Sequence, residues 1–248
     1  MMKLLFLLML MVTNVYAKDI LLTENNTVSL RGPVDRQSVG DVINDLSKLA
    51  QTGNEKDPIY LVLNTPGGSV MAGLELMQYM NTIRRPVHVV ANFAASMGFH
   101  ILQSSKVRYV TQYGTIMSHR ASGGFEGDIP QQINSRLKHI IDLVGKMDEQ
   151  VVGRTNGKFN KETYAELIRD EYWSVGTTAI KDGFADEVAN LKCDNTLNGT
   201  VTKIVRFAIF EAEVNFSKCP LISAVVSGDS ENKAEMDRFL NSIRKLEL

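Results

Sequence analysis

One serine of the sequence, Ser96, lies in a setting that suits a nucleophile. It stands in the run Ala94-Ala95-Ser96-Met97-Gly98, after strand-type residues at 87–90 and before a helix-type run at 99–104. A turn from a strand into a helix exposes a hydroxyl and directs backbone N–H groups toward it, and small neighbours let a substrate approach. A serine among alanine and glycine is more often only a tight packing position, so this motif alone is not specific.

A serine hydroxyl needs a general base at hydrogen-bond distance, and His119 is the best candidate. It follows two strand-type runs, at 107–110 and at 115–117, which predict two separate strands. The other three histidines are expected to be structural, because His100 and His139 fall on helix-type stretches and His88 inside an apolar strand.

Three motifs in this order resemble the proteolytic subunit of the Clp protease, a serine peptidase family. They are Pro66-Gly67-Gly68 with Ala72-Gly73, then Ala95-Ser96-Met97-Gly98, then Met117-Ser118-His119. Each motif is common by itself, and their combination over roughly residues 27–187 carries the resemblance.

The resemblance implies a catalytic triad with Ser96 as nucleophile, His119 as base and Asp170 as the carboxylate that orients the imidazole. It also implies that the backbone N–H groups of Gly68 and Met97 stabilise the oxyanion. This chemistry needs no metal or organic cofactor. The residues alone do not identify which carboxylate orients the imidazole, since Arg169-Asp170 could equally be a surface pair. Several aspartates follow His119, namely Asp142, Asp148, Asp170, Asp182 and Asp186.

Two departures from the family pattern concern the substrate and the partner. His-Gln-Pro of the family stands here as His119-Arg120-Ala121, and the charge of Arg120 is expected to alter substrate binding beside the site. After cleavage of the predicted signal peptide, only about nine residues would separate Lys18 from the first matching strand, too few for the hairpin loops that line the family's axial pore.

The N-terminus predicts a signal peptide over residues 1–17, with Lys3, an apolar run at 4–12 and Val15-Tyr16-Ala17 as a cleavage site. An uncleaved anchor or a buried strand are the alternatives. Export would separate the protein from ATP, so an ATP-driven unfoldase partner is doubtful. Cys193 and Cys219 could pair in an oxidising compartment.

Composition excludes other classes. The net charge of −1 gives no support for nucleic-acid binding. The sequence has no phosphate-binding glycine pattern and no zinc-type Cys/His spacing.

Asp35 is the candidate N-cap of a first helix, and the continuous apolar run at 59–63 predicts a strand buried on both faces. Strand-type and helix-type runs alternate, which predicts an α/β fold with a mainly parallel sheet. The resemblance implies the repeated β-β-α units shared by Clp proteases and crotonases. Residues 129–153 predict a long amphipathic helix, either a core helix or the family's protruding strand-helix handle between stacked rings.

Domains are expected at 1–17 (signal peptide), 18–190 (peptidase) and 191–248 (an extension, either a surface appendage or a partner-binding element). In the extension we expect a strand at 200–210, a polar linker at 228–232 and a charged helix at 234–246.

The predicted function is that of an exported serine endopeptidase that cleaves peptides or unfolded proteins in a ring-shaped homo-oligomer. Three alternatives stay open: a crotonase-like acyl-CoA enzyme, a peptidase with a Ser/Lys pair, and a non-catalytic ring scaffold.

Overall fold

A seven-stranded sheet forms the centre of the protein. The computed structural model describes residues 17–124, 127–207, 210–222 and 225–229. The strands of the sheet are β1 (Lys18–Leu22), β2 (Thr27–Arg31), β3 (Ile59–Thr65), β4 (Val87–Ala95), β5 (Arg108–Ser118), β6 (Tyr172–Val175) and β7 (Glu187–Cys193). They lie in the order β1-β7-β5-β4-β3-β2, with β6 paired to β5, and only this last pairing is antiparallel. This confirms the predicted α/β fold class.

Helices connect the strands, and local sequence signals mark where several of them begin. They are α1 (Arg36–Ala50), α2 (Val70–Thr82), α3 (Met97–Ser104), α4 (Gln131–Gly153), α5 (Lys161–Leu167) and α6 (Thr177–Lys181). Asp35, Ser69 and Asn160 cap α1, α2 and α5 by accepting hydrogen bonds from first-turn backbone N–H groups.

Successive side chains along each strand point to opposite faces of the sheet, so the hydrophobic core is divided between the two faces. Ile59, Leu61 and Leu63 of β3 pack with the helices in the larger cluster. Val62 faces the opposite side, in a smaller cluster with Leu197. Both faces are therefore buried, as a mainly parallel sheet requires.

The C-terminal part of the chain covers that second face. Cys193, the last residue of β7, forms a disulfide with Cys219. The guanidinium of Arg31 donates to the carbonyl oxygen of Cys219 at 2.9 Å, and Lys218 pairs with Glu24 at 3.6 Å. These contacts attach residues 218–219 of the extension to β7, to the edge strand β2 and to the turn between β1 and β2.

Two sequence-based assignments were wrong. The two strands predicted at 107–110 and 115–117 form the single strand β5, which begins at Arg108. The register of its pairing with β4 shifts between Ala91 and Phe93, and pairing resumes beyond the irregular stretch, so the strand is not divided. Residues 200–210, predicted as one strand, form two antiparallel strands, β8 (Thr200–Phe207) and β9 (Phe210–Ser217).

The polar run at 228–232 was also misread in part, because its first residues lie in β10 (Val225–Asp229), which pairs with β9. Cross-strand hydrogen bonds outweigh the turn-like composition there. The helix expected at 234–246 and the signal peptide, apart from Ala17, lie outside the described residues and stay predictions.

Helix α4 is buried only near its C-terminal end, at Met147 and Val151. Leu137 and Ile141 of the same apolar stripe are 45% and 60% exposed. The interpretation of α4 as a core helix is therefore wrong for its first half, where apolar side chains are exposed outside the core of this subunit. In the described part of the chain no helix is both long and apolar enough to span a membrane.

Candidate active site

Ser96 occupies the sharp turn between β4 and α3. Its backbone has φ 54° and ψ −118°, a region that residues other than glycine rarely adopt. The Ser96 N–H donates to the carbonyl oxygen of Met117 at 2.9 Å, which holds the turn against β5. A strained strand-to-helix turn of this kind is how many hydrolases expose a nucleophilic hydroxyl at the edge of a sheet.

Parallel pairing of β4 with β5 places His119 beside this serine. Ala95 pairs with Met117, so the residues just after each partner reach the same edge of the sheet. His119 Nε2 lies 2.7 Å from Ser96 Oγ. At that distance a neutral imidazole can accept the hydroxyl proton as the serine attacks a carbonyl carbon.

The glycine loop after β3 packs directly against the serine turn. A Cβ at Gly67 would lie 2.6 Å from Ser96 Cβ and 2.8 Å from Met97 N, so only glycine permits this approach. The next residue, Gly68, forms a bridge to Val34, in which Gly67 O accepts from Val34 N and Ser69 N donates to Val34 O. Strand geometry then leaves the Gly68 N–H on the side of the loop away from Val34.

The Met97 N–H is the first of α3, and no preceding turn of the helix supplies an acceptor for it. It follows the serine directly, at the positive end of the helix dipole. Gly68 and Met97 therefore lie on the two segments that meet at Ser96, where a negatively charged oxygen would need donors.

His100, one turn into α3, stays uncharged beside this pair. Burial and, to a smaller extent, the charge of the nearby His119 together lower its pKa to about 4. At neutral pH His100 therefore adds no positive charge next to the imidazole of His119, and a structural role for it agrees with the sequence-based prediction.

Asp170 does not join the other two residues of the expected triad in this structure. Its side chain is 77% exposed and accepts hydrogen bonds from Arg169 Nη2 at 2.8 Å and Nε at 3.0 Å. These bonds and the charge of Arg169, followed by the charge of Arg120, hold the pKa of the Asp170 carboxyl below its usual value. No hydrogen bond joins Asp170 to His119 within the residues that the structure describes.

Two residues that sequence reasoning missed contact the neighbours of His119. Tyr164 OH shares a 2.8 Å hydrogen bond with Ser118 Oγ, and Arg120 Nη2 donates to Ala165 O at 3.1 Å. The only signal in the sequence was a polar serine at the apolar end of β5. Among the described residues no group of three or more His, Cys, Asp or Glu side chains is arranged to hold a metal ion.

A Ser-His pair on a strand-to-helix turn of a parallel sheet, with backbone donors beside it, is the arrangement of a serine hydrolase. Comparison with known proteins gives the family. The Clp protease family model matches residues 12–192. An ATP-dependent Clp protease proteolytic subunit of Streptococcus gordonii is 34% identical over 170 residues, which is 67% of this chain and 86% of the relative. The proteolytic subunit of Streptococcus pyogenes serotype M5 is 33% identical over 171 residues, again 67% and 86%.

The chain therefore belongs to the Clp protease family. The match contains the region of resemblance seen in the sequence and ends one residue before Cys193. It begins inside the predicted signal peptide, at residue 12. The extension with β8, β9 and β10 lies beyond it.

Proposed function

We propose that this protein is a serine endopeptidase with Ser96 as nucleophile and His119 as general base. The observation that carries the proposal is the 2.7 Å contact between Ser96 Oγ and His119 Nε2 at a strained turn. Membership of a protease family and the close packing of the Gly67-Gly68 loop support it.

In the proposed reaction Ser96 Oγ attacks the carbonyl carbon of the scissile peptide bond while His119 Nε2 accepts its proton. The N–H groups of Gly68 and Met97 stabilise the oxygen that becomes negative. His119 then donates the proton to the leaving amine, and the serine ester remains. A water molecule, deprotonated by His119, hydrolyses this ester and restores the free hydroxyl.

Asp170 is the proposed orienting carboxylate. To act it must exchange Arg169 for the imidazole of His119. The exposure of both Arg169 and Asp170 supports such an exchange, because a second subunit could take over the arginine. The anion would then fix the imidazole tautomer with Nε2 free to accept a proton.

We also propose that the subunits assemble into stacked rings that act on peptides or unfolded proteins outside the cytoplasm. The exposed apolar side chains of Leu137 and Ile141 on α4 support burial against other subunits. A disulfide between Cys193 and Cys219 supports an oxidising compartment, in line with the predicted signal peptide. An ATP-driven partner is not part of the proposal.

The test is labelling with a fluorophosphonate, which esterifies activated serines. Wild type, Ser96→Ala and His119→Ala are compared, and the size of the assembly is measured on the same samples. Labelling of wild type that is lost in both variants, on a large oligomer, supports the proposal. A large, folded oligomer that does not label would favour a scaffold or a crotonase-like enzyme. Labelling that survives His119→Ala would favour a Ser/Lys pair.

A further inference from the structure

The short helix α5 contacts both chain neighbours of His119. Ser118 precedes the histidine and bonds to the side chain of Tyr164, at 2.8 Å. Arg120 follows the histidine and donates to the backbone of Ala165, at 3.1 Å. Consecutive residues of one helix therefore hold the residues on either side of the proposed base.

The Ser118–Tyr164 contact lies in the interior of the protein. Both residues are 0% exposed. Burial raises the pKa of the Tyr164 phenol, so it stays protonated and able to donate across the neutral range. A hydrogen bond between two groups that water does not reach is costly to break, because each partner would be left unsatisfied.

Tyr164 itself has little freedom to move. Its ring lies 6.2 Å from that of Phe184, which packs against Phe99 at 5.4 Å and stacks on Phe159 at 5.3 Å. Asn160 caps α5 with a reciprocal pair of hydrogen bonds to Thr163. The phenol oxygen is thus presented to Ser118 from a rigid site.

We propose that Tyr164 is a positioning residue for catalysis: its hydrogen bond to Ser118 fixes the end of β5 and with it the imidazole of His119 against Ser96. The inference rests on the proposed serine peptidase function. Ser118 is the last residue of β5, and beyond it the chain is exposed at 120–124. Without the bond, the strand end that carries His119 loses its buried anchor.

The expected effect is on the rate of chemistry rather than on substrate binding. A displacement of about 1 Å between a base and its nucleophile can reduce turnover about 100-fold. Tyr164 does not line the exposed substrate side, so KM should change little.

The experiment compares Tyr164→Phe, Ser118→Ala and the double variant with wild type. Tyr109→Phe is the matched control, because it removes a phenol oxygen from a buried tyrosine of β5 in the cluster on the opposite sheet face. For each protein we measure kcat and KM on a fluorogenic peptide, the rate constant of fluorophosphonate inactivation, and the melting temperature.

Each single variant should lower kcat and the inactivation rate about tenfold or more, with KM nearly unchanged. Each should also melt earlier, because it leaves one buried polar group unpaired. The double variant removes both groups, so its melting temperature should recover toward that of wild type while kcat stays low. Tyr109→Phe should keep the wild-type kcat.

A double variant that regains both stability and kcat would overturn the inference, because the single losses would then come from stability alone. Single variants with wild-type kcat would also overturn it. Both outcomes differ from failure of the proposed function, in which wild type itself neither cleaves peptides nor reacts with the fluorophosphonate.

Discussion

Replacing Gly67 by alanine should separate the glycine loop from the serine turn. The new Cβ would lie 2.6 Å from Ser96 Cβ, 2.7 Å from Ala95 O and 2.8 Å from Met97 N. Carbon atoms pack at about 3.4 Å or more, so the two segments must move apart by about 0.8 Å at the tightest contact. The proposed convergence of the Gly68 and Met97 N–H groups on one oxygen would then be lost.

A shift of this size should reduce catalysis about 100-fold, the order expected for loss of one oxyanion donor or for a misplacement near 1 Å. The assay is the second-order rate constant of fluorophosphonate inactivation, with folding monitored by circular dichroism. Turnover of a fluorogenic peptide is measured on the same preparations.

Gly32→Ala is the matched control for backbone strain. Gly67 has φ +93° and Gly32 has φ +76°, so alanine is strained at both, by about 1–2 kcal/mol. At Gly32, however, the new methyl group meets nothing within 4 Å. A folded Gly67→Ala protein with the wild-type inactivation rate would refute the reasoning. Equal losses in the two variants would show that strain, and not the contact with Ser96, is responsible.

Three further predictions concern the carboxylates and the disulfide. Asp170→Asn should keep the fold and lower kcat by up to about 10⁴-fold, because the imidazole would lose the orienting anion proposed for it; unchanged kcat would exclude Asp170 from the triad. Reduction of the Cys193–Cys219 disulfide, whose cysteines are 26 residues apart, should lower the free energy of unfolding by about 3.5 kcal/mol, because the unfolded chain gains entropy without the cross-link. Urea unfolding measures this, and an unchanged midpoint of the transition would contradict it. Asp186→Asn should lower the free energy of unfolding by about 3 kcal/mol, because it leaves the guanidinium of Arg108, which is 3% exposed, without its carboxylate. This value is at the low end for a broken buried ion pair because Asp186 is itself partly exposed.

The Asp186 pair also predicts a pH dependence. Burial alone would raise the pKa of this carboxyl, but the hydrogen bonds and charge of Arg108 outweigh it and lower the pKa. The stabilisation is therefore present above the unfolded carboxyl pKa of about 4 and is lost as the pH falls through the lower folded value. The difference in melting temperature between wild type and Asp186→Asn should shrink in that range; a constant difference down to pH 2 would contradict it.

The sequence was informative wherever neighbours in the chain decide the outcome. Asp35 as the first cap, the apolar run that became β3 and the glycine pair before α2 could all be predicted, because capping, strand burial and tight turns depend on a few consecutive residues. Ser96 and His119 were found as candidates for the same reason, since each follows a strand of a parallel sheet.

The misread regions share a different cause. Continuity of β5 through the stretch around Gly114 depends on the register shift of its partner β4, and β10 depends on pairing with β9. Composition at these sites resembles a turn. Hydrogen bonds from a strand distant in the sequence decided otherwise.

By itself the sequence determined the α/β class, the candidate nucleophile and base, and the resemblance that the family match confirms. Only the tertiary structure decided that Oγ and Nε2 lie 2.7 Å apart, that Asp170 pairs with Arg169, and that Tyr164 holds the residue before His119. The physical reason is that residue types and their local spacing determine which side chains can react and which backbone conformations are favoured. Distances between side chains from separate elements arise only when the sheet register and the packing of α5 bring them together.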